Sequence, residues 1–561
     1  MRDWHRSLLI TGMALIAWLL VIEWNQFSDD RASVNQSFTA IEDDYDQYEV
    51  GPDTNTSKVQ SDIPILESSL KEVVIPEVRG TQLVIAKNEV LEIAIDTYGG
   101  DIVGAKLLKH LDNKKEEGGK PLSLLQRSKG RVYEARSGII GANATDTAVG
   151  RPQFYATATD YEFNYGDEVL NIDLLTNIDG VKITKRFQLN RDGYDIKVQY
   201  LINNSSLSSW SGSFYGQIKR DSNPPSSEGP AFGMRSYWGA ALREPEKNYS
   251  KYTFDDLNDG AIKTSIQGGW VAMLQHYFVS AWIPPSDDVN NFSLRKSSDR
   301  STNLMSFTGA PIVVPPGGTG DYHATFYIGP KDQKILGDLA TYLDRTIDYG
   351  WAWVFAQPLF WVLDSIYDYV GNWGWSIILL TILVKMFLYP LSAASLRSMA
   401  KMRNLQPQLT RLKELYGDDR QKMSQEMMAL YKKEKVNPAG GCLPMLLQFP
   451  IFISLYWVLF ESYEIRHAPW LLWIQDLSTK DPYFVLPILM GGSMFLMQKL
   501  QPMPTDPMQA NIMRYMPIGI TILMLGFPSG LVLYWTVNNL LSMAQQWYVN
   551  RQMKTNLKAK P

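Results

Sequence analysis

A lysine lies inside a long apolar stretch, and its charge constrains what this part of the chain can fold into. Lys385 interrupts residues 375–390 (WSIILLTILVKMFLYP), and the apolar runs contain no Asp or Glu to pair with it. A cation at bilayer depth costs about 2.5–3.5 kcal/mol on insertion scales, so it is typical of a functional site. We expect Lys385 to face water in a hydrated cavity that receives a client. The alternative is that its side chain snorkels to the cytoplasmic headgroups.

Six apolar runs predict six transmembrane helices. The first, residues 7–22, follows Arg2 and Arg6 and lacks a small-residue cleavage site, so residues 1–24 are predicted to be an uncleaved anchor with a cytoplasmic N-terminus. The other five runs are residues 370–391, 443–460, 484–500, 512–527 and 530–547. Some are short or interrupted by proline, which membrane bundles tolerate. Six spans return the C-terminus to the cytoplasm, in agreement with the basic tail at 550–561.

The first 350 residues contain a single apolar run and otherwise read as a polar tether and a β domain. Residues 25–72 are acidic and poor in large apolar side chains, which predicts a solvated tether that decouples the next domain from the spans. From 73 to 330 the apolar residues alternate, with strands expected at 89–96, 169–176, 181–189, 194–202, 270–283 and 322–328. This pattern predicts a large antiparallel sandwich outside the cytoplasmic membrane.

Two further segments flank the apolar core at 370–549. Residues 331–369 combine helical spacing with many aromatic residues, which predicts an amphipathic helix in the membrane interface, broken at Pro358; a buried soluble helix is the alternative. Residues 397–436 carry apolar side chains at steps of three and four on both sides of Gly417, which predicts a cytoplasmic helical hairpin. Pro407 is expected to kink its first helix or to mark a restart.

The sequence offers little for enzymatic chemistry. It contains no phosphate-binding glycine loop, dinucleotide fingerprint or metal-spaced Cys/His cluster, so we expect no cofactor, no metal and no catalytic residues. The single Cys442 excludes a disulfide within the chain, and a net charge of −4 does not favour nucleic acid. The remaining polar groups within the spans are Thr381, Gln448, Asn538 and Asn539. Thr381 and Lys385 are four residues apart and share one helix face.

Several short motifs together resemble one known family, the YidC membrane-protein insertases. They are 372–376 (NWGWS), 383–391 (LVKMFLYPL), 399–403 (MAKMR), 405–407 (LQP), 434–444 (EKVNPAGGCLP), 448–452 (QFPIF) and 527–535 (FPSGLVLYW). The resemblance covers about residues 345–549, and the anchor plus the large β domain is similar to the Gram-negative form of the family.

The resemblance implies a bundle of six transmembrane helices, five of which form the insertase core, with a periplasmic β-supersandwich, in the bacterial inner membrane. It also implies a hydrophilic groove open to cytoplasm and lipid, with Lys385 as its basic residue and Thr381, Gln448 and Trp535 along its wall. Implied partners are nascent membrane-protein clients, the Sec translocon with its accessory subunits, the ribosome or signal recognition machinery at the hairpin and tail, and the bilayer. The sequence has Lys385 where Arg is usual in the family, and Trp535 where Tyr is frequent.

Two other classes of function remain as alternatives. A transporter or channel subunit would be expected to show inverted repeats or charged pathways through several spans. An anchored periplasmic enzyme would be expected to carry an acid–base pair in the β domain. The sequence shows neither pattern, so it favours an insertase and chaperone that lowers the barrier to moving polar segments across the membrane.

Overall fold

A computed structural model describes residues 82–558 except 142–143, 148–149, 225–235, 417–418, 435–442 and 501–506. The predicted anchor at 1–24, the predicted tether at 25–72 and the last three residues of the tail lie outside the described residues. The description begins with an all-β domain, here called the β domain (82–330), and continues with a helical region.

Among the described residues of the β domain, nineteen strands form two sheets. In chain order they are β1 (Leu83–Lys87), β2 (Leu91–Asp96), β3 (Asp101–Leu111), β4 (Pro121–Ser128), β5 (Arg131–Ile140), β6 (Tyr155–Ala156), β7 (Asp160–Glu162), β8 (Val169–Ile178), β9 (Val181–Asn190), β10 (Asp195–Asn204), β11 (Trp210–Asp221), β12 (Gly239–Leu242), β13 (Ser250–Tyr252), β14 (Ile262–Gln267), β15 (Val271–Leu274), β16 (Phe278–Ile283), β17 (Val289–Lys296), β18 (Thr302–Val314) and β19 (Thr319–Pro330). One sheet has the order β14-β17-β18-β11-β5-β4-β3-β2-β1-β7, and the other β13-β12-β15-β16-β19-β10-β9-β8-β6.

The alternation of apolar residues places the core between the two sheets. In β10, Ile196, Val198, Tyr200 and Ile202 are buried, whereas the residues between them are partly exposed. The inward faces of both sheets share one hydrophobic core. Among the described strands every pairing is antiparallel except β1 with β7, so the predicted antiparallel sandwich is confirmed in outline.

One strand prediction was wrong. Residues 270–283 form a hairpin of β15 and β16 and not a single strand. Every residue of both strands is buried, so no alternation marks the turn at 275–277.

Ten α-helices lie within the described residues. They are α1 (Gln333–Leu339), α2 (Trp353–Val370), α3 (Trp373–Phe387), α4 (Tyr389–Asn404), α5 (Gln406–Tyr416), α6 (Arg420–Lys433), α7 (Leu443–Glu461), α8 (Val485–Lys499), α9 (Pro507–Met524) and α10 (Ser529–Lys558). Among the described residues no single helix is both long and apolar enough to cross a bilayer, although α3 and α4, bent by 69°, satisfy that condition as a pair.

The predictions made for two prolines, Pro407 in the helical hairpin and Pro358 in α2, differ in their outcome. Pro407 is the second residue of α5, so it marks a restart of the helix, one of the two outcomes predicted for it. Pro358, in contrast, lies inside α2, which continues through it. The predicted break at Pro358 was therefore wrong: the proline is the sixth residue of α2, and the helix continues through it although one backbone hydrogen bond to the first turn is lost.

The β domain is joined to the helical region by contacts at the end of α7 and the turn after it. They include four polar contacts: Lys331 with Glu461 (3.7 Å), Tyr463 donating to Asp332 (2.8 Å), His276 donating to the Phe460 carbonyl (2.9 Å) and Arg466 donating to the Asp112 carbonyl (3.2 Å). Lys331 and Glu461 are both buried. The domain is thus held on this side by direct contacts, whereas the predicted tether at 25–72 lies outside the described residues.

Candidate functional site

Lys385 lies in the last turn of α3 and reaches two other helices. Its Nζ donates to Ser542 Oγ on α10 at 2.7 Å and to Gln448 Oε1 on α7 at 3.3 Å. The Lys385 side chain is partly buried. The three helices are separated widely in sequence, so this lysine marks the place where they meet.

The polar contacts continue from Lys385 to Asn538. Gln448 Nε2 donates to Asn538 Oδ1 at 2.5 Å, and Ser542 Oγ donates to the Asn538 carbonyl at 2.7 Å. We call Lys385, Gln448, Asn538 and Ser542 the Lys385 cluster. Hydrogen bonds in such a chain polarise one another in a low-dielectric setting. The cluster therefore forms a continuous polar strip through otherwise apolar helices.

The Lys385 cluster is positively charged and has no counter-ion among the described residues. No described carboxylate lies within 4.0 Å of Lys385 Nζ, and its hydrogen-bond partners are neutral oxygens. Neutral dipoles stabilise the ammonium group without cancelling its charge. An acidic group that approached Lys385 would be attracted more strongly here than in water, because the local dielectric constant is lower.

The face of α10 that carries the cluster is set by helical spacing. Trp535, Asn538, Ser542 and Gln545 recur at intervals of three and four, so they share one face. Gln545 Nε2 donates to Ser392 Oγ on α4 at 2.6 Å, which extends the polar strip beyond Lys385.

Trp535 lies at the opposite end of this face. Its ring meets Phe452 edge-on, with centroids 4.7 Å apart, and Phe452 is one turn beyond Gln448 on α7. Trp535 is half-buried. It therefore forms an apolar boundary next to the Lys385 cluster and does not hydrogen-bond within it.

Thr381 is placed differently from what the resemblance implies. It lies one turn before Lys385, but it is 1% exposed and its hydroxyl donates to the Ile377 carbonyl at 2.6 Å. Its hydroxyl is thus satisfied within α3. Of the four residues named from sequence, Lys385 and Gln448 are in direct contact, Trp535 adjoins them through Phe452, and Thr381 is buried behind them.

Ser542, Gln545 and Ser392 were missed by the sequence analysis. The available signal was the spacing of polar residues along one face of α10, continuing from Asn538. Among the described residues there is also no group of His, Cys, Asp and Glu side chains arranged to hold a metal ion.

Comparisons with known proteins match both halves of the chain. A family model described as 60Kd inner membrane protein matches residues 365–556, and a model of the YidC periplasmic domain matches residues 84–362. A solved structure described as an active YidC insertase with its first transmembrane domain resolved aligns at a TM-score of 0.36 and 19% identity, covering 84% of this chain and 93% of that one. A galactose mutarotase-like protein from Lactobacillus casei aligns at 0.31 and 10% identity, covering 44% of this chain and 100% of its own.

Full-length relatives are much closer in sequence. A protein from Stutzerimonas stutzeri named membrane protein insertase YidC is 46% identical over 99% of this chain and 100% of its own length. One of the same name from Cellvibrio japonicus is 48% identical over 98% of this chain and 99% of its own. With identity at this level over nearly the whole length, the chain belongs to the membrane protein insertase YidC family.

Proposed function

We propose that this insertase receives the polar segment of a client at the Lys385 cluster while the apolar helix of the client passes into lipid. As a family member the chain is a non-enzymatic insertase of the inner membrane with a periplasmic domain, and its clients are membrane proteins. Family membership supports this function and not the transporter or channel alternative. The observation that carries the proposal is a cation held only by neutral polar groups where α3, α7 and α10 meet.

The physical argument rests on the cost of moving polar groups through hydrocarbon. An unsatisfied backbone polar group costs several kcal/mol in lipid, so a translocated tail needs hydrogen-bond partners along its way. Asn538, Gln448 and Ser542 offer such partners, and Lys385 favours acidic tails. Burying the apolar helix of the client, at about 25 cal/mol per Å², supplies the driving force.

We assign different roles to the four predicted groove residues. Lys385 presents charge and Gln448 exchanges hydrogen bonds with the client. Trp535, against Phe452, forms an apolar edge on which the client helix can slide. Thr381 contributes shape and not hydrogen bonds, because its hydroxyl is engaged within α3.

We further propose the topology and the partners that the sequence patterns indicate. Six spans, made of residues 7–22 and the five later runs, place both termini in the cytoplasm. Residues 331–369 would then lie along the periplasmic interface, with the groove within 370–549. The basic hairpin at 397–436 and the tail would meet the ribosome or signal recognition machinery, and larger clients would be handled beside the Sec translocon.

Protease added to spheroplasts tests the proposed topology. It should cleave the β domain and spare the hairpin; cleavage of the hairpin from outside would refute this topology.

Site-specific crosslinking tests the groove directly. A photoreactive residue at position 385, 448 or 542 should crosslink to the polar flank of a stalled nascent client. Position 386 is the matched control, because Met386 is the next residue on the same helix and is 65% exposed away from the cluster. We expect position 386 to label lipid or the apolar part of the client. Equal labelling of the polar flank from 385 and 386 would refute the proposal.

A further inference from the structure

A small cavity lies where the β domain, the residues after it and the start of α2 meet. Its volume is about 190 Å³, and its lining includes Asn248, Gln333, Asp344, Arg345, Asp348 and Trp353. Cavities that hold whole drug-sized ligands are larger, about 300–1,000 Å³. This one is therefore sized for a small group, and its exposed lining residues Asn248 and Trp353 place its rim at the surface.

The cavity carries a pre-oriented guanidinium group. Arg345 lies over the ring of Trp353, with its Cζ 4.1 Å from the ring centroid. Such stacking fixes the plane of the guanidinium group and leaves its N–H edge available. The nearest carboxylate among the described residues is that of Asp344, at 3.9 Å from Nε, so this contact is weak. A planar donor edge held in this way suits a phosphate group, which Arg binds with two parallel hydrogen bonds.

Two carboxylates line the same cavity. Asp348 is ion-paired with Lys251 and accepts a hydrogen bond from the Gly350 N–H at 2.9 Å, which lowers its pKa and keeps it ionised. Asp344 stands next to Arg345. Because Lys251 already compensates Asp348, the cavity presents Arg345 as its cation and Asp344 as the carboxylate without a close ion pair, a pattern that complements a zwitterion and not a simple anion.

The surroundings of the cavity are those of a membrane surface. The side chains at the start of α2 are exposed: Trp351 just before the helix, and Trp353, Val354 and Phe355 in its first turn. Trp361, two turns later, is 70% exposed. Exposed tryptophans of this density are typical of the headgroup level of a bilayer. The placement of this cavity at the bilayer surface rests on one part of the proposed function, namely that α2 lies in the periplasmic interface.

We infer that this cavity is a binding site for the phosphoethanolamine headgroup of a phospholipid in the outer leaflet of the inner membrane. Arg345 holds the phosphate, Asp344 accepts hydrogen bonds from the primary ammonium group, and the acyl chains run along the exposed aromatic face of α2. A glycerol headgroup would bring no cation to the carboxylates, and a choline headgroup would bring no N–H donor.

The test is lipid retention by the full chain. The purified protein is reconstituted in nanodiscs containing equal amounts of phosphatidylethanolamine, phosphatidylglycerol and phosphatidylcholine, and retained lipids are counted by native mass spectrometry. We expect phosphatidylethanolamine to be enriched and Arg345→Gln to reduce its retention about tenfold or more, the scale of one lost charge-assisted hydrogen bond. Lys334→Gln is the matched control, because Lys334 is an exposed neighbouring cation outside the cavity lining.

Asp344→Asn provides an independent variant of unchanged shape. It should lower the preference for ethanolamine over choline while keeping phosphate binding, and it decides the matter if Arg345→Gln does not fold. Unchanged retention in a folded Arg345→Gln variant, an equal loss in Lys334→Gln, or an unchanged ethanolamine preference in Asp344→Asn would overturn the inference. Client insertion is measured in the same nanodiscs. If insertion is absent while retention depends on Arg345, the proposed function fails and this site stands.

Discussion

Lys385 holds its charge among neutral partners, so substitutions can separate charge from hydrogen bonding. We expect Lys385→Arg to retain insertion and Lys385→Glu to lose about tenfold or more for clients with acidic tails, because the sign of the local field is reversed. Lys385→Ala should be milder for weakly charged clients, since Gln448 and Asn538 still offer hydrogen bonds. The measurement is insertion yield for a client series of graded tail charge.

Thermal melting distinguishes the predicted role of the Lys385 charge in insertion from a role of Lys385 in folding. Ser542 and Gln448 each keep a bond to Asn538 without Lys385, so the Ala variant should lose only about 1 kcal/mol of stability. Met386→Gln, on the exposed side of α3, is the control and should insert all clients normally. Equal losses for every client, together with a large fall in Tm for Lys385→Ala, would make Lys385 a structural residue.

A second buried lysine, in the β domain, should behave differently. Lys185 is fully buried on β9, donates to the Gly99 and Ser137 carbonyls, and has its pKa lowered by burial to about 7. Arg151 donates to the same two carbonyls, so they stay paired without Lys185. We expect Lys185→Met to be neutral or stabilising by roughly 1–4 kcal/mol, as for other buried charges replaced by apolar groups.

Arg151→Met is the contrasting variant. Arg151 is ion-paired with Asp101 and Asp146, both buried, so its removal should cost about 3–5 kcal/mol by leaving Asp146 without its ion pair and Asp101 with the longer contact to Arg136 at 3.8 Å. The pH dependence of Tm adds a check. Because the pKa of Lys185 is lower in the folded state than in the unfolded chain, its contribution to stability rises from pH 7 towards 10.5. That rise should be reduced in Lys185→Met; a large loss of stability in this variant would contradict the argument.

At the scale of elements, strands were easier to predict than their pairing. Alternation identified β8, β9 and β10. The neighbours β10–β19 and β11–β18, however, bring together segments about a hundred residues apart, and no local pattern encodes that choice. Fully buried strands such as β15 and β16 lose alternation altogether.

The candidate site was predictable only in part for a related reason. Lys385 is conspicuous because a charge in an apolar run is rare, and Gln448 stands out for its polarity. Ser542 is an ordinary helix residue, and its role depends on the rotation of α10 relative to α3, across 157 positions in sequence. That rotation is set by helix packing, which sequence spacing does not specify.

The contact between the β domain and the turn after α7 should weaken in acid. His276 stacks on Tyr277 and contacts the tilted ring of Phe460, with centroids 4.5 Å apart. Burial, with nearby Lys331 and Arg466, lowers the pKa of His276 to about 3. An imidazole kept neutral in the docked state but titrating near 6.5 when released contributes stability that is present above pH 6.5 and lost towards pH 3. We expect hydrogen exchange of residues 461–467 to accelerate between pH 6.5 and 4, after correction for intrinsic exchange.

Substitution of His276 tests the cause. His276→Gln keeps a donor for the Phe460 carbonyl but does not titrate, so the acid effect should shrink. His110, whose pKa is lowered to about 4 by burial and by Arg466, His467 and Lys109, and His467, whose pKa is also lowered by burial, would account for the remainder. Glu464 acts in the opposite direction, because burial raises its pKa to about 8 and its contribution to stability grows as the pH falls towards 4.5. His323 lies on β19, outside this contact, so His323→Gln is the control and should leave the pH dependence of hydrogen exchange unchanged. An unaltered profile in both His276→Gln and His110→Gln would exclude these histidines as the source.

For the whole molecule, the contacts at the junction decide how far the β domain can be removed. Two of the four polar contacts, Lys331 with Glu461 and Asp332 with Tyr463, are made by residues that lie between β19 and α1. A deletion of residues 73–329 therefore keeps both. At the end of α7 it removes the hydrogen bonds of His276 and Arg466 with backbone carbonyls and the ring contacts of His110 with Tyr463 and of Arg466 with Phe278. It also removes the ion pair of Lys251 with Asp348.

We expect the 73–329 deletion to insert simple clients at close to the full-length yield, because the Lys385 cluster and the charged half of the junction survive. A deletion of 73–332 differs by three residues and takes Lys331 and Asp332 away from Glu461 and Tyr463. It should lose about 1–3 kcal/mol more, or roughly 2–10 °C in Tm, with a matching fall in folded yield.

Both deletions are compared by thermal melting and by client insertion in proteoliposomes. If the shorter deletion abolished insertion of every client while its helices remained folded, the β domain would be part of the insertion machinery; equal Tm values for the two deletions would refute the role given to Lys331 and Asp332.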